Sequence, residues 1–233
     1  MNRRTFVKTL PAASMLAGAS SVSAQDLQPI TLPKPQTDGG KSVLAALKER
    51  KTIRTISEEK LPPQVLSNLL WAAFGVNRES NGPFGTPGRT AATASNSQEI
   101  DLYVALPEGI YLYEAVPHRL TPVAAGDKRA LAGGRGQRSS GAKAPVRLIF
   151  VVDIAKYSKA GFQEPGLKDP DVQKSYYFVA TGLISGNIYL FAASQGLAAW
   201  FHNCDKAGLA AELKLRPDQR VLFGQTVGYP MNG

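Results

Sequence analysis

Four cationic side chains lie within seven consecutive positions near the start of the chain. They are Lys48, Arg50, Lys51 and Arg54. Only Glu49 opposes them, and like charges this close repel one another unless an anion binds between them. Arginine presents a planar set of donors that matches phosphate oxygens in pairs, and Thr52 adds a hydroxyl donor. The stretch therefore predicts a site for an anion such as a phosphate.

A helix end could also account for some of these charges. The apolar positions within 43–47 have helical spacing, and a helix C-terminus attracts cations through its dipole by about 0.3–1 kcal/mol. That effect accounts for Lys48 and Arg50 but not for Arg54, which follows the expected end of the helix. Charge-assisted hydrogen bonds to a phosphate contribute about 1.5–3 kcal/mol each. We therefore favour the anion site.

The composition is that of one globular domain. The chain has 233 residues, of which 43% are hydrophobic and 19% are charged, enough for a full core. The formal net charge is +9, which fits an anionic ligand and equally a solvated basic surface. The sequence has no basic run interleaved with aromatic residues and no helix-turn-helix pattern, so we expect no nucleic-acid partner.

Metal and disulfide chemistry find no support in the sequence. Cys204 is the single cysteine, and the two histidines, His118 and His202, are far apart. No spacing of these residues is typical of a metal site. We expect both histidines to be hydrogen-bonded or solvent-facing. No catalytic acid or nucleophile stands out.

Residues 1–24 have the parts of an export signal in the right order. The pair Arg3-Arg4 precedes Phe6, and a mildly apolar stretch follows at 10–19. This resembles a twin-arginine signal peptide, which implies a periplasmic location. The apolar part is too short to be a stable membrane anchor. The alternative is a disordered tail with a chance arginine pair.

The remaining chain divides into a linker and a domain. We expect the mature protein to start near Gln25. Residues 25–40 contain three prolines and a glycine pair, which predicts an extended linker. Residues 41–233 then form the domain.

Hydrophobic periodicity predicts a mixture of helices and strands. Helices are predicted at 41–49, 61–75, 176–195 and 206–213, with a further helix within 120–132. Strands are predicted at 100–105, 110–114, 146–153, 197–201 and 220–227. The first two strands form a hairpin. Loops are predicted at 78–96 and 135–143, and a loop or short helix at 156–174. This order indicates an α+β fold, in which helices pack on a mostly antiparallel sheet.

Four stretches of sequence, taken in order, resemble a known family. They are RKTIR at 50–54, RTAATASNSQ at 89–98, GIYLY at 109–113 with His118 and Leu120, and ATGLISGNIYLFAA at 180–193 followed by QGL at 195–197 and VGYP at 227–230. Together they span most of the chain from 41 to 230. This order resembles that of the nitroreductase superfamily of FMN-dependent oxidoreductases. Within the superfamily, it is most similar to the branch that includes the azoline-oxidising peptide dehydrogenases. Each stretch alone is weak, and their order makes the match specific.

The resemblance implies a nitroreductase-like fold, a homodimer with FMN at its interface, and hydride transfer through FMN to or from a small organic substrate. It gives roles to particular positions. The phosphate and ribityl end would be held by Arg50, Lys51, Thr52 and Arg54. A partner subunit would contribute Thr93, Ala94, Ser95 and Asn96. Gln137 would lie near the ring or ribityl chain, and the backbone at Ala199 and Trp200 near the reactive edge of the ring.

Several positions in these stretches also fit ordinary structural roles. Asn96 is a common turn residue, and Trp200 and Phe201 could be core aromatics. Tyr176 and Tyr177 could face a substrate or the outside of the long helix.

The chain departs from the family pattern at two points. Ala92 and Thr93 stand where the family has proline and serine, and the sequence ends three residues after Pro230, where members usually continue into a tail that embraces the partner. We therefore expect Arg50, Lys51 and Arg54 to neutralise more of the phosphate charge than their counterparts in the family do.

The sequence does not identify the electron donor, because nicotinamide cofactors are cytoplasmic and the protein is expected in the periplasm. The alternatives are a non-catalytic periplasmic protein that binds flavin or another anion, and a binding module without flavin.

Overall fold

The computed structural model describes residues 27–79, 85–134 and 144–231. The proposed export signal at 1–24 and the predicted site residue Gln137 lie outside the described residues. Both stay predictions.

A seven-stranded sheet forms the centre of the domain. The described strands are β1 (Ile30–Thr31), β2 (Val76–Arg78), β3 (Gly88–Arg89), β4 (Ile100–Ala105), β5 (Gly109–Glu114), β6 (Arg119–Ala125), β7 (Val146–Asp153), β8 (Ala198–His202) and β9 (Gln219–Gly228). Seven of them form one sheet in the order β1-β6-β5-β4-β7-β9-β8, and each neighbouring pair is antiparallel. β2 and β3 form a small separate ribbon. The predicted α+β fold with a mostly antiparallel sheet is confirmed.

Helices cover both faces of this sheet. The described α-helices are α1 (Val43–Glu49), α2 (Pro63–Phe74), α3 (Arg129–Ala132), α4 (Pro170–Ser194) and α5 (Lys206–Glu212). Alternate residues of each strand face opposite sides. In β4, Leu102 and Val104 belong to the core beneath α2 and α4. Tyr103 and Ala105 belong to the second core, beneath α3 and α5.

The long helix α4 begins six residues earlier than predicted from the sequence. The Asp169 carboxylate caps it by accepting hydrogen bonds from the Asp171 and Val172 amides, and Pro170 occupies the first turn, where its missing N–H is harmless. By length and composition alone α4 could cross a membrane, but the core helix of a globular protein passes the same test. A buried stripe that includes Ala180, Ile184 and Ile188 packs it against the sheet.

Two other predicted segments need correction, and a third agrees with its prediction up to the start of α4. The stretch 120–132 contains the short helix α3, but most of it is strand β6, which was not predicted. The described part of the predicted loop at 78–96 contains the last residue of β2, the whole of β3 and a 3₁₀ turn at Ala94–Asn96. The stretch 156–174, predicted as a loop or short helix, contains parts of two 3₁₀ turns up to Lys168 and differs from the prediction only from Pro170, where α4 starts.

The described part of the predicted linker, 27–40, is extended but packs onto the domain. Its β1 residues pair with β6, and Leu32 is buried in the main core. The Ser67 hydroxyl donates to the carbonyl of Pro33 at 2.5 Å. Hydrogen bonds and buried apolar surface therefore hold this segment against β6 and α2.

His118 extends that attachment into the sheet. Its Nε2 lies 2.7 Å from the Ser67 hydroxyl and its Nδ1 lies 3.0 Å from the Tyr113 hydroxyl. Because Ser67 donates its own proton to Pro33, His118 must donate from Nε2 and accept from Tyr113 at Nδ1. The second histidine, His202, is also hydrogen-bonded, to Thr226 and to the carbonyl of Asn203.

Candidate functional site

The cationic cluster begins where α1 ends. The helix stops at Glu49, and Arg50 closes it with an extended backbone while its amide donates to the Ala46 carbonyl. The chain then runs beside the outer edge of β8, where the Ile53 amide donates to the Ala199 carbonyl at 3.1 Å. Arg54 therefore lies well outside α1, and the dipole of that helix does not explain its charge.

Two aromatic rings hold the arginines at this edge. The Arg50 guanidinium lies 5.5 Å from the centre of the Tyr189 ring, and the Arg54 guanidinium lies 5.5 Å from the centre of the Trp200 ring. Such contacts contribute about 0.5–1 kcal/mol at exposed positions and leave the outward donors of a guanidinium available.

Tyr189 connects the cluster to the sheet. Its hydroxyl accepts a hydrogen bond from the Phe201 amide at 2.8 Å and lies 3.1 Å from the Thr52 hydroxyl. The Thr52 side chain is thereby fixed between α4 and β8. Five of the predicted site residues, Arg50, Thr52, Arg54, Ala199 and Trp200, thus come together along one edge of the domain.

The charge of this cluster is not neutralised within the described part of the chain. Glu49, the nearest acid in sequence, pairs with Lys41 instead. Arg50, Lys51 and Arg54 are exposed and form no ion pair with any described residue. Three exposed cations with a fixed hydroxyl beside them suit a phosphate group, which accepts several charge-assisted hydrogen bonds at once. The residues present therefore fit the phosphate end of a mononucleotide.

Arg147 is a buried cation that was not predicted from the sequence. It lies in β7 and pairs across the sheet with Thr226, which in turn pairs with Trp200. Burial, and then the nearby charge of Arg129, lower the pKa of Arg147 to about 10. Its position within a β-branched run gave no sign of a charge in the core.

The second predicted group, Thr93 to Asn96, forms a strained turn. Ser95, Asn96 and Gln98 have φ values of 49°, 52° and 50°, in a left-handed region that side chains other than glycine adopt at a cost. The Asn96 side-chain amide donates to the Thr86 hydroxyl at 2.7 Å, and the Gln98 side-chain amide donates to the Pro87 carbonyl at 2.7 Å. Strained backbone held by its surroundings is typical of functional sites.

The turn and the cationic cluster lie at opposite ends of the sheet. Trp200 aligns through β9 and β7 with Ala105, the last residue of β4, whereas the turn precedes Ile100, the first residue of β4. Five strand positions separate the two ends by about 17 Å. One chain therefore does not bring the two predicted groups together.

The backbone near Ala199 and Trp200 already forms a hydrogen bond within the chain on the outer edge of β8. The Ala199 side chain is buried in the main core, and its carbonyl accepts from Ile53. Trp200 is half-buried and packs edge-on against His202 with ring centres 4.8 Å apart. Trp200 thus contacts both His202 and Arg54.

Comparison with known proteins places this arrangement in a family. The model of the nitroreductase family matches residues 47–229. The chain belongs to the nitroreductase family. Members of this family generally bind flavin, FMN being typical, and its chemistry is that of oxidoreductases.

Solved structures of nitroreductase type share the fold. A putative nitroreductase from Ralstonia eutropha JMP134 is 33% identical with a TM-score of 0.72, and the match covers 88% of this chain and 90% of that one. The E. coli microcin synthetase McbBCD complex with truncated pro-MccB17 bound contains a chain 18% identical (TM-score 0.62, covering 98% and 85%). A putative NADH oxidase from Clostridium acetobutylicum is 17% identical (TM-score 0.52, covering 82% and 89%). No curated protein matches the sequence significantly.

Proposed function

We propose that this family member is an exported FMN-dependent oxidoreductase whose phosphate site is the cluster of Arg50, Lys51, Thr52 and Arg54. One observation carries the proposal. Three exposed cations without an acidic partner in the described chain lie near Thr52 at the edge of β8, and the rings of Tyr189 and Trp200 hold two of them, Arg50 and Arg54. Membership of the nitroreductase family supports FMN as the anion.

The protein's own residues would bind and orient the cofactor. Arg50 and Arg54 would each donate to the phosphate, Lys51 would add charge, and the Thr52 hydroxyl would add a directed hydrogen bond. Bound FMN would supply ping-pong hydride transfer at its N5 between a donor and a small organic substrate. The cluster thus anchors the cofactor and leaves the redox step to the flavin.

We propose a homodimer on the basis of exposed apolar surface. On α1, Val43, Leu44 and Leu47 are 68%, 78% and 53% exposed, and on α4, Val179 and Leu183 are 62% and 45% exposed. A groove with a cavity volume of about 330 Å³ lies between α1, α2 and α4, with Trp71, Asn187 and Phe191 in its wall. Surface of this kind marks an interaction site. A second copy would also place its Thr93–Asn96 turn next to the flavin bound at the cationic cluster of the first copy. Within one chain, the turn and the cluster are too far apart for both to contact the same flavin.

Export to the periplasm is part of the proposal and rests on the sequence of 1–24. The twin-arginine route carries folded proteins, which would allow FMN to be bound before export. The donor in that compartment is then something other than a freely available nicotinamide.

The experiment is a visible spectrum of protein purified after export by its own signal, followed by release and identification of any chromophore. A flavin spectrum with FMN released on denaturation supports the proposal, and a colourless protein that binds no added FMN contradicts it. Bleaching of the bound flavin by candidate donors, and its return on adding an organic acceptor, separates an enzyme from a protein that only stores or binds flavin.

A further inference from the structure

Glu99 is a carboxyl group enclosed in the core. It follows the strained turn directly, precedes β4, and is 0% exposed. The Ser97 hydroxyl donates to its Oε2 at 2.7 Å, while Oε1 has no hydrogen-bond partner among the described residues. Nothing in its sequence context singles it out.

No described cation pairs with this carboxyl group. Lys156 is near enough to act on it electrostatically, but its Nζ is hydrogen-bonded to the Asp101 carboxylate at 2.5 Å and to the Gln98 carbonyl at 3.1 Å. An ionised carboxylate buried without a counter-ion is strongly unfavourable. Its burial accordingly raises the pKa of Glu99, against smaller opposing effects of Ser97, its own backbone, Tyr157 and Lys156.

Glu99 also lies at the fixed base of the turn. Its carbonyl accepts from the Asp153 amide at 2.8 Å, which attaches it to the end of β7. Immediately before it, Ser95, Asn96 and Gln98 all have positive φ. Each such residue costs on the order of 1 kcal/mol or more, so the turn keeps its shape only while its surroundings hold it. The Ser97–Glu99 hydrogen bond is one of those supports.

We propose that Glu99 is held as the neutral carboxylic acid and is a positioning residue, which keeps the Thr93–Asn96 turn in the shape that contacts flavin in a second copy of the chain. The inference rests on the proposed function, since it takes this turn to be a flavin contact. Ionising the acid would place an uncompensated charge in the core. The Ser97 hydrogen bond would strengthen, but hydration of the buried charge would displace Glu99 from its site and so loosen the turn.

The groups around Glu99 offer that charge little compensation. The 3₁₀ turn Ile154–Lys159 contributes Lys156 and Tyr157, and β4 contributes Asp101, which holds Lys156. The Tyr157 hydroxyl favours the ionised form of Glu99, but it also donates to the Gln173 carbonyl at 3.2 Å. From α4, Tyr176 and Tyr177 act on Tyr157. Lys156 is the one cation in this set, and it is committed elsewhere.

The sign of the pH effect follows from the raised pKa. Below the unfolded-state value of about 4.5 the acid is neutral in both states. As pH rises above it, the unfolded chain ionises first, so the folded state loses stability until the folded-state pKa is passed. Glu99→Gln keeps a neutral acceptor for Ser97 and removes the ionisation, so it should remove this loss.

The test compares the full-length protein, Glu99→Gln, and Glu59→Gln as a control at an exposed glutamate. Urea unfolding and FMN dissociation constants are measured at pH 5, 6.5 and 8. Between pH 5 and 8 we expect the wild type to lose folding stability relative to Glu99→Gln. FMN binding should weaken over the same range in the wild type and Glu59→Gln only. Parallel pH profiles for the wild type and Glu99→Gln would overturn the inference.

A second measurement does not depend on the stability of the variant. Infrared difference spectra at pH 6 should show a protonated carboxyl band in the wild type that disappears in Glu99→Gln, or in Glu99→Met if the first variant folds poorly. Absence of that band would contradict a neutral Glu99. A protein that binds no FMN at any pH would refute the proposed function, whereas strong FMN binding with unchanged profiles would refute the role of Glu99 alone.

Discussion

The hydroxyl of Tyr189 accepts a hydrogen bond from the backbone amide of Phe201 at 2.8 Å and lies 3.1 Å from the hydroxyl of Thr52. One side chain on α4 thereby sets the position of the cationic stretch relative to β8. The same ring lies beneath Arg50. The phosphate donors are therefore built on rigid elements, although they follow the end of a short helix.

Removing that hydroxyl should weaken both the fold and cofactor binding. Tyr189→Phe keeps the ring beneath Arg50 but leaves the Phe201 amide without its acceptor, which costs about 1–3 kcal/mol of unfolding free energy. FMN binding should weaken by several-fold because Thr52 loses its fixed orientation. Tyr229→Phe is the control, since the Tyr229 hydroxyl has no hydrogen bond to any described residue. Equal stability and affinity in both variants would show that Tyr189 does not organise the site.

Acid should destabilise the protein through His118. Burial lowers the pKa of His118 below its usual 6.5, so the unfolded chain takes up the proton first as pH falls. Stability is then lost as the pH falls below about 6.5, and the loss is moderated by solvent because the ring is only partly buried.

The variant His118→Asn checks this effect without the titrating group. Asparagine tolerates the φ of 48° found at this position. Urea unfolding at pH 7.5 and 5.5 should show a smaller change for the variant than for the wild type. A wild-type protein that gains stability relative to the variant at pH 5.5 would show that the folded state raises the pKa of His118 instead.

The exposed apolar faces of α1 and α4 predict the oligomeric state. Leu44→Glu and Leu183→Glu each place a charge on the surface proposed to meet a second copy, where it would be buried without a partner. Sedimentation analysis should show a dimer for the wild type and a shift toward monomer for both variants. Val116→Glu, at a position that is 67% exposed in the β5–β6 turn, should remain dimeric. A wild-type monomer that retains FMN would refute the dimer while leaving the phosphate site intact.

The sequence predicted the regular elements best where local patterns were strong. The bounds of β4 and β7 match the prediction, because alternation and a β-branched run are local signals. β6 was missed because Pro122 interrupts its pattern. The structure places that proline at an irregularity in the β5–β6 register, one of the few places where a strand tolerates it. The start of α4 was missed although Asp169 and Pro170 are a readable cap signal.

The site was predictable only in part, for a physical reason. The anion cluster could be inferred because its charges are adjacent in sequence and repel one another. Tyr189 could not, because it meets Thr52 across 137 positions of the chain and nothing local to it indicates that contact. Glu99 gave no signal either, since its burial depends on how 93–98 folds against β7.

The central claim is that Arg50 and Arg54 bind the phosphate of FMN. The most direct measurement is the FMN dissociation constant of the double variant Arg50→Met/Arg54→Met beside Arg78→Met/Arg220→Met, which removes two exposed arginines elsewhere. Two charge-assisted hydrogen bonds predict a rise on the order of 100-fold or more for the first variant and little change for the second. Tight FMN binding by Arg50→Met/Arg54→Met, equal to that of the control, would contradict this claim.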